Sequence, residues 1–226
     1  MRTLMHMPLD PSSRMARLIL AEKGLPARLV ETAPWKDNPD LAARNPARSV
    51  PVLIDEPPTG GEIAVSPASV IAEYLEEAYP AEALLPATSA GRAEARRLLM
   101  WFEGKFERDV NAAIVRRKVD DRLRGVRRID PDLYRAGLEA LAWHLDYLSW
   151  LLERRAWLAG EKMSIADLAG AAHLSACDYL GAVCWSDFPQ AKEWYARLKC
   201  RPSFRPLLAD RVEGLAPPAH YDDLDF

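Results

Sequence analysis

Val50 and Pro51 stand where the backbone itself could bind a ligand. A short buried strand is predicted directly after them, at Val52, Leu53 and Ile54. A proline suits the start of a strand because it has no N–H to donate to the sheet. If the Val50–Pro51 bond is cis, the N–H and C=O of Val50 turn away from the sheet and can pair with an extended peptide. A trans proline that closes a loop is the alternative, and the sequence leaves both open.

A second candidate for chemistry is the polar group Asp10, Ser12 and Ser13. A serine hydroxyl can donate a hydrogen bond to a thiolate and so lower the pKa of a thiol, ordinarily about 8.5, toward neutrality. An ionised Asp10 only accepts hydrogen bonds and would repel a thiolate. Ser12 or Ser13 can equally be the cap of a helix that starts here.

The third candidate is a basic stretch at residues 116–128, which holds seven basic and two acidic residues in a chain of net charge −3. Charge is therefore concentrated on one part of the surface. A solvated helix face is one interpretation, and a docking surface for an acidic partner is the other. Nucleic acid is disfavoured because no aromatic residues alternate with the basic ones.

The composition is that of an ordinary globular chain. With 226 residues, 49% hydrophobic and 28% charged, it can bury a sizeable core in one large or two small domains. Its three cysteines are an odd number without CxxC spacing, which argues against a disulfide framework. We find neither a signal peptide nor an apolar run of membrane-spanning length, and so expect a cytoplasmic protein without membrane insertion.

Two regions of different character must position these residues. Residues 1–80 predict the order βαβ followed by ββα, with strands at 2–6, 25–31, 52–55 and 62–65 and helices at 12–23 and 67–78. Residues 81–89 are expected to be a linker. Residues 90–212 show only helical signals, beginning with a long charged helix in which Gly104 and Gly125 are candidate interruptions.

Three further signals organise the helical region. Asp130 and Pro131 are a helix start, and the leucines after them form one apolar stripe: Leu138, Leu141, Leu145, Leu148 and Leu152. Ser164 and Asp167 predict a capping box. Arg201 is expected to begin the last helix.

Residues 213–226 are acidic and carry two prolines, so we expect a mobile or loosely docked tail. A frayed terminus and a linear recognition motif around Leu224 and Phe226 both remain open. Trp35 lies in a polar loop, where it is either an exposed interface anchor or a side chain folded back onto the domain.

Several motifs together resemble the glutathione S-transferase superfamily, and they follow one another in the right order: Leu9-Asp10-Pro11-Ser12-Ser13-Arg14, Asn45-Pro46-x-x-x-Val50-Pro51, Trp157-Leu158-Ala159-Gly160 with Ser164-Ile165-Ala166-Asp167, and Arg201-Pro202-Ser203. The resemblance implies an α/β plus all-α architecture, with a thioredoxin-like N-terminal domain followed by an all-helical domain. It also implies a cis Pro51, with the Val50 backbone holding the cysteinyl part of glutathione.

The chain departs from the superfamily at the positions that do chemistry. Asp10 falls where some classes carry a catalytic serine or cysteine. Pro67 and Ala68 fall where the superfamily has a Glu-Ser pair that holds the γ-glutamyl group, and neither side chain can form a hydrogen bond. The resemblance therefore implies a vestigial glutathione site at Val50, Pro51, Ser66 and Ser69, relic positions at Asp10, Ser12 and Ser13, no catalytic residue and no cofactor.

Five features distinguish this chain within the superfamily: Asp10-Pro11-Ser12-Ser13-Arg14, Trp35, the Val50-Pro51 turn with Pro67-Ala68, the arginine-rich helix end and the acidic tail. Together they resemble a non-catalytic branch that binds the cell-division protein FtsZ. This implies a cytoplasmic homodimer at the division site that curves or bundles FtsZ filaments. By position, the interface candidates are Trp35, Arg116, Arg117, Arg122 and Arg124. Asp225 and Phe226 are candidates for contact with a further division protein.

Two other functions remain open. One is a glutathione-dependent transferase or isomerase in which the hydroxyl of Ser12 or Ser13 donates a hydrogen bond to the thiolate. The other is an adaptor for a different acidic partner.

Overall fold

The computed structural model describes residues 2–57, 60–126 and 130–224. It begins with a mixed sheet of β1 (Arg2–His6), β2 (Ala27–Glu31), β3 (Val52–Asp55) and β4 (Ile63–Val65). The strand order is β2-β1-β3-β4. The β1–β2 pair is parallel and the β1–β3 and β3–β4 pairs are antiparallel, because a helix joins the first pair and a short connection joins the last.

Helices cover both faces of the sheet. Successive side chains of β1 point to opposite faces, so Leu4 joins the main core while Met5 packs with Leu41 and Val52 in a small separate cluster. Helices α1 (Pro11–Glu22) and α3 (Ala68–Ala78) contribute to the main core, and α2 (Pro39–Arg44) supplies Leu41. The predicted βαβ and ββα order and the predicted fold class are confirmed.

Some element boundaries were misplaced for a local reason. Strand β2 begins two residues later than predicted because Gly24 and Leu25 still close α1. The Leu25 N–H donates to the carbonyl of Leu20 at 2.8 Å, and Gly24 has a φ of +63°, as expected for a glycine after a helix.

A long helical segment opens the second domain. Helix α4 (Ser89–Met100) continues into a π-helix (Trp101–Asn111), a second π-helical stretch (Arg116–Asp120) and the short α5 (Asp121–Leu123). Of the two candidate interruptions, Gly104 lies within the first π-helix and does not interrupt the segment. Gly125, with a φ of +78°, follows its end. Wide helical turns of this kind occur often at functional sites.

The remaining helices build the core of this domain. Asp130 caps α6 (Pro131–Leu152) as predicted. Of the predicted leucine stripe, Leu141, Leu145 and Leu148 are buried, whereas its two ends, Leu138 and Leu152, are only partly buried. Helix α7 (Ile165–Tyr179) is buried along its whole length, and its predicted capping box is confirmed. Helix α8 (Pro189–Lys199) follows, and α9 (Arg205–Leu208) starts later than predicted.

The expectation of a mobile or loosely docked tail is wrong for the described residues through Tyr221. Tyr221 is fully buried, and its hydroxyl accepts a hydrogen bond from Arg14 at 3.0 Å. Earlier in the tail, the Tyr179 hydroxyl donates to the carbonyl of Leu215 at 2.6 Å. An aromatic ring thus anchors an otherwise acidic segment, because it fills a site over the buried Arg14.

Candidate functional site

The candidate cleft lies at one end of the sheet. The β1–β3 register pairs Met5 with Val52, so Val50 and Pro51 continue past that pair, beside the loop that follows β1. The Val50–Pro51 bond, which the sequence left open, is cis, and so is the Ser66–Pro67 bond. Strand β4 ends at this same end of the sheet, since Val65 pairs with Leu53.

Ser66 and Ser69 flank the start of α3 and are half-buried. Between them, Pro67 is the residue before the helix and provides no side-chain cap, and Ala68 is fully buried. This end of the cleft therefore offers a ligand no charged side chain from residues 66 to 69.

Asp10, not Ser12 or Ser13, caps α1, so the helix-cap alternative for the two serines is wrong. One oxygen of Asp10 accepts from the Ser13 N–H at 2.7 Å. A carboxylate is as good a cap as a hydroxyl, and Pro11 fits the first helical position. Ser13 is fully buried, and its hydroxyl oxygen accepts from the Met7 N–H at 3.3 Å.

The hydroxyl of Ser12 is committed to the protein. It donates to Glu103 Oε1 at 2.9 Å, and His173 Nε2 lies 3.0 Å from the same oxygen. Asn111 Nδ2 donates to Glu107, which fixes the amide orientation, and lies 2.7 Å from His173 Nδ1. His173 Nδ1 is thus an acceptor and Nε2–H a donor to Glu103. Because the only hydroxyl hydrogen of Ser12 is engaged in the hydrogen bond to Glu103, Ser12 has none to donate to a thiolate.

Arg116 lies among three carboxylates. Its guanidinium contacts Asp10 at 2.7 Å, Glu107 at 2.9 Å and Asp120 at 3.4 Å. Burial by itself lowers the pKa of Arg116, but these carboxylates outweigh it and leave that pKa raised. Burial raises the pKa of Asp120 to about 6, against the opposing effect of Arg116. Arg116 therefore joins α1 to the helical segment of the second domain.

The other predicted partner-binding residues lie in separate places. Arg117 pairs with Asp121 at 3.0 Å and is about half exposed, at 47%, while Arg122 and Arg124 are exposed. Trp35 is half-buried in the loop between β2 and α2. Asp225 and Phe226 lie outside the described residues.

The sequence analysis missed the polar residues that complete the cleft: Glu103, Glu107, Asn111 and His173. A signal for three of them existed, because positions 103, 107 and 111 are spaced by four residues and share one side of a helical segment. Nothing in the sequence pointed to His173, which belongs to the buried α7.

The described residues also bear on two other kinds of site, a membrane span and a metal centre. No helix there is long and apolar enough to cross a membrane. Nor do residues 2–57, 60–126 and 130–224 contain a group of three His, Cys, Asp or Glu side chains placed to hold a metal ion.

Comparison with known proteins agrees with this architecture. Residues 11–78 match the glutathione S-transferase N-terminal domain and residues 125–202 match its C-terminal domain. Over 227 aligned residues the chain is 48% identical to FtsZ-localized protein A of Caulobacter vibrioides, covering 100% of this chain and 98% of the relative. The chain belongs to the glutathione S-transferase superfamily.

Two solved structures of this superfamily superpose on the chain. FzlA from C. crescentus has a TM-score of 0.96 at 48% identity and covers 100% of this chain and 99% of its own. A glutathione S-transferase from Rhodospirillum rubrum F11 has a TM-score of 0.95 at 46% identity, with 100% coverage of both chains. The resemblance to the superfamily and to FzlA is confirmed.

Proposed function

We propose that this protein is a non-catalytic member of the glutathione S-transferase superfamily that binds FtsZ and curves or bundles its filaments during bacterial cell division. The observation that carries the proposal is the 48% identity over the full chain to FtsZ-localized protein A. We place its action in the cytoplasm at the division site.

The cleft supports a binding role rather than catalysis. The Ser12 hydroxyl donates its hydrogen bond to Glu103, and Asp10 places a carboxylate beside it at the start of α1. Pro67 and Ala68 cannot pair with the charged end of a glutamyl group. A site that lacks these partners loses several kcal/mol of affinity for a charged tripeptide.

Trp35, Arg117, Arg122 and Arg124 are the proposed contacts with FtsZ. The exposure of the three arginines fits an electrostatic interface whose strength falls with salt. Arg116 serves this surface indirectly, because its three carboxylate partners hold it within the fold.

A homodimer is part of the proposal. Met100 on α4 and Trp143 and Trp150 on α6 are each about half exposed, at 55%, 51% and 50%. Trp101 stacks on Trp143 with ring centroids 5.7 Å apart, so α4 and α6 present one apolar face. Such faces mark interaction sites. A second copy there would pair two FtsZ sites at a fixed angle, so that bound filaments bend and binding gains avidity.

The C-terminal tail is proposed to act separately. Tyr221 anchors the tail to Arg14, and the tail ends a few residues beyond this anchor. Asp225 and Phe226 are the proposed contacts with a further division protein.

Co-sedimentation with polymerised FtsZ tests the proposal. We expect the wild-type protein to pellet with filaments at low ionic strength, and electron micrographs to show curved bundles. Arg124→Glu should reduce the pelleted fraction without changing the circular dichroism spectrum. Wild-type protein that stays in the supernatant at low salt refutes FtsZ binding.

The alternative function is a glutathione-dependent transferase or isomerase. One observation favours it: Val50 and a cis Pro51 lie at the same end of the sheet as Ser12 and Ser13. Retention on glutathione resin, with thiol conjugation that is lost in Ser12→Ala or Ser13→Ala, would establish this activity in place of the proposed one.

A further inference from the structure

A groove separates the end of the long helical segment from the C-terminal tail. It has a volume of about 840 Å³. The helical side contributes three basic residues, Arg117, Lys118 and Arg122. The groove is therefore cationic although the whole chain carries a net charge of −3.

The same groove has apolar walls. Leu123 and Val126, which are 44% and 46% exposed, line one side. Leu180 and Leu215 line the other, and Glu213 is the acidic residue of the lining. Exposed leucine and valine side chains beside arginines offer a partner both apolar contact and charge.

The wall formed by the tail is held in place. The Tyr179 hydroxyl accepts from the Val212 N–H at 3.1 Å and donates to the Leu215 carbonyl at 2.6 Å. Between these residues Gly214 has a φ of +72°. A Cβ at position 214 would lie 2.1 Å from the Arg122 guanidinium, so glycine allows Arg122 to pack against the tail.

The three basic side chains differ in whether they already have a polar partner within the protein. Arg117 is shared with Asp121, and Lys118 donates to the Tyr134 hydroxyl at 2.7 Å. Among the described residues, Arg122 forms no ion pair. Its guanidinium has five donors and suits a carboxylate that arrives from outside.

We propose that this groove binds an acidic peptide segment that carries a large apolar side chain, with a carboxylate on Arg122 and the apolar group between Leu123 and Leu215. This rests on the proposed function, in which the segment belongs to FtsZ. Charge complementarity selects an acidic occupant. Apolar walls, with no aromatic side chain among the lining residues, favour a peptide over a nucleic acid, whose bases need aromatic platforms.

Two measurements test the groove. The first is the Kd with which two groove variants, Arg122→Glu and Leu123→Asp, bind polymerised FtsZ. Arg108→Glu is the matched control, because Arg108 lies on the same helical segment and is 72% exposed. We expect both groove variants to weaken binding by about tenfold or more and the control to bind like wild type. Wild-type affinity in both groove variants refutes the groove.

The second measurement needs no FtsZ. A synthetic hexapeptide of alternating Asp and Leu or Phe is titrated into ¹⁵N-labelled protein, and two control peptides replace either the acids by Asn or the apolar residues by Ser. We expect shifts at the 116–126 and 213–216 amides with the first peptide only. Equal shifts with the Ser peptide or with single-stranded DNA would show a general anion surface and overturn the proposal.

The two failures are distinguishable. If the hexapeptide binds in the groove but FtsZ filaments do not bind the wild-type protein, the proposed function fails and the groove serves another acidic partner. If filaments bind but neither the hexapeptide nor the groove variants show an effect, the groove is refuted and FtsZ binding stands. Gly214→Ala, which displaces Arg122 without changing charge, should weaken filament binding as Arg122→Glu does.

Discussion

Arg116→Gln should destabilise the fold rather than simply remove a docking charge. The guanidinium of Arg116 contacts Asp10 at 2.7 Å and Glu107 at 2.9 Å, with a longer contact of 3.4 Å to Asp120. Asp10 is only 4% exposed, so removal of its cation leaves a desolvated carboxylate. Removing one member of a buried ion pair costs about 3–5 kcal/mol.

We expect the lower end of that range, about 3 kcal/mol, because Arg116 is itself 30% exposed. Against a total stability of about 5–15 kcal/mol, this loss is large enough to read from urea denaturation followed by tryptophan fluorescence. Arg122→Gln is the control, since an exposed arginine should change the free energy of unfolding by less than about 0.5 kcal/mol.

A double-mutant cycle isolates the ion pair. Asp10→Asn keeps a good helix cap while removing the charge, so the Asp10–Arg116 coupling should be about 1–2 kcal/mol. If Arg116→Gln unfolds within about 1 kcal/mol of wild type and the coupling is near zero, Arg116 is not held by the fold, and it returns to the list of direct FtsZ contacts. For the same reason, lost filament binding in an Arg116 charge reversal cannot be assigned to docking unless the variant is shown to be folded.

Three further predictions concern the cleft, the tail and pH. Ser12→Ala should leave any glutathione conjugation unchanged, because the Ser12 hydroxyl already donates its hydrogen bond to Glu103. A large loss of conjugation rate in this variant would show that the hydroxyl serves a thiolate instead. Tyr221→Phe removes a hydroxyl from the buried Arg14 and should cost about 1.5–3 kcal/mol with faster proteolysis of the tail, whereas wild-type protection would refute the anchor. Burial lowers the pKa of His6 and His144 to about 4 in the folded protein. As the pH falls, these histidines are therefore protonated first in the unfolded chain, which favours unfolding. Each histidine should lower the free energy of unfolding by about 1.4 kcal/mol between pH 8 and pH 5.5. His144→Gln should reduce that loss in a pH series of thermal unfolding, and an unchanged series counts against a buried neutral histidine.

The sequence predicted the parts of the fold that short-range chemistry decides. Asp130 with Pro131, and Ser164 with Asp167, each satisfy backbone groups within a few residues, so the helix starts were confirmed. The Val50–Pro51 motif, the motif around Asp10 and Arg14, and the Ser164 capping box were together sufficient to identify the superfamily and hence the order of strands. Departures from the superfamily pattern at Asp10, Pro67 and Ala68 are likewise visible in sequence.

The roles of the polar residues depend on contacts between distant parts of the chain. Ser12 and Glu103 are 91 residues apart in the chain and Asp10 and Arg116 are 106 apart, and no local pattern encodes such pairs. Packing of α1 against the helical domain brings them together, and burial then makes an unpaired charge too costly to keep.

Long-range packing also gives the arginines of the basic stretch different roles. The arginines between residues 116 and 124 look equivalent in sequence. The winding of the helical segment nevertheless turns Arg116 toward the Asp10 carboxylate and leaves Arg122 exposed beside Gly214. The tail likewise looked too acidic to dock, but one buried ring, Tyr221, outweighs its surface charges because those charges stay in water. Sequence thus determined which groups are present and which local elements they form, and long-range packing determined which charges face a partner.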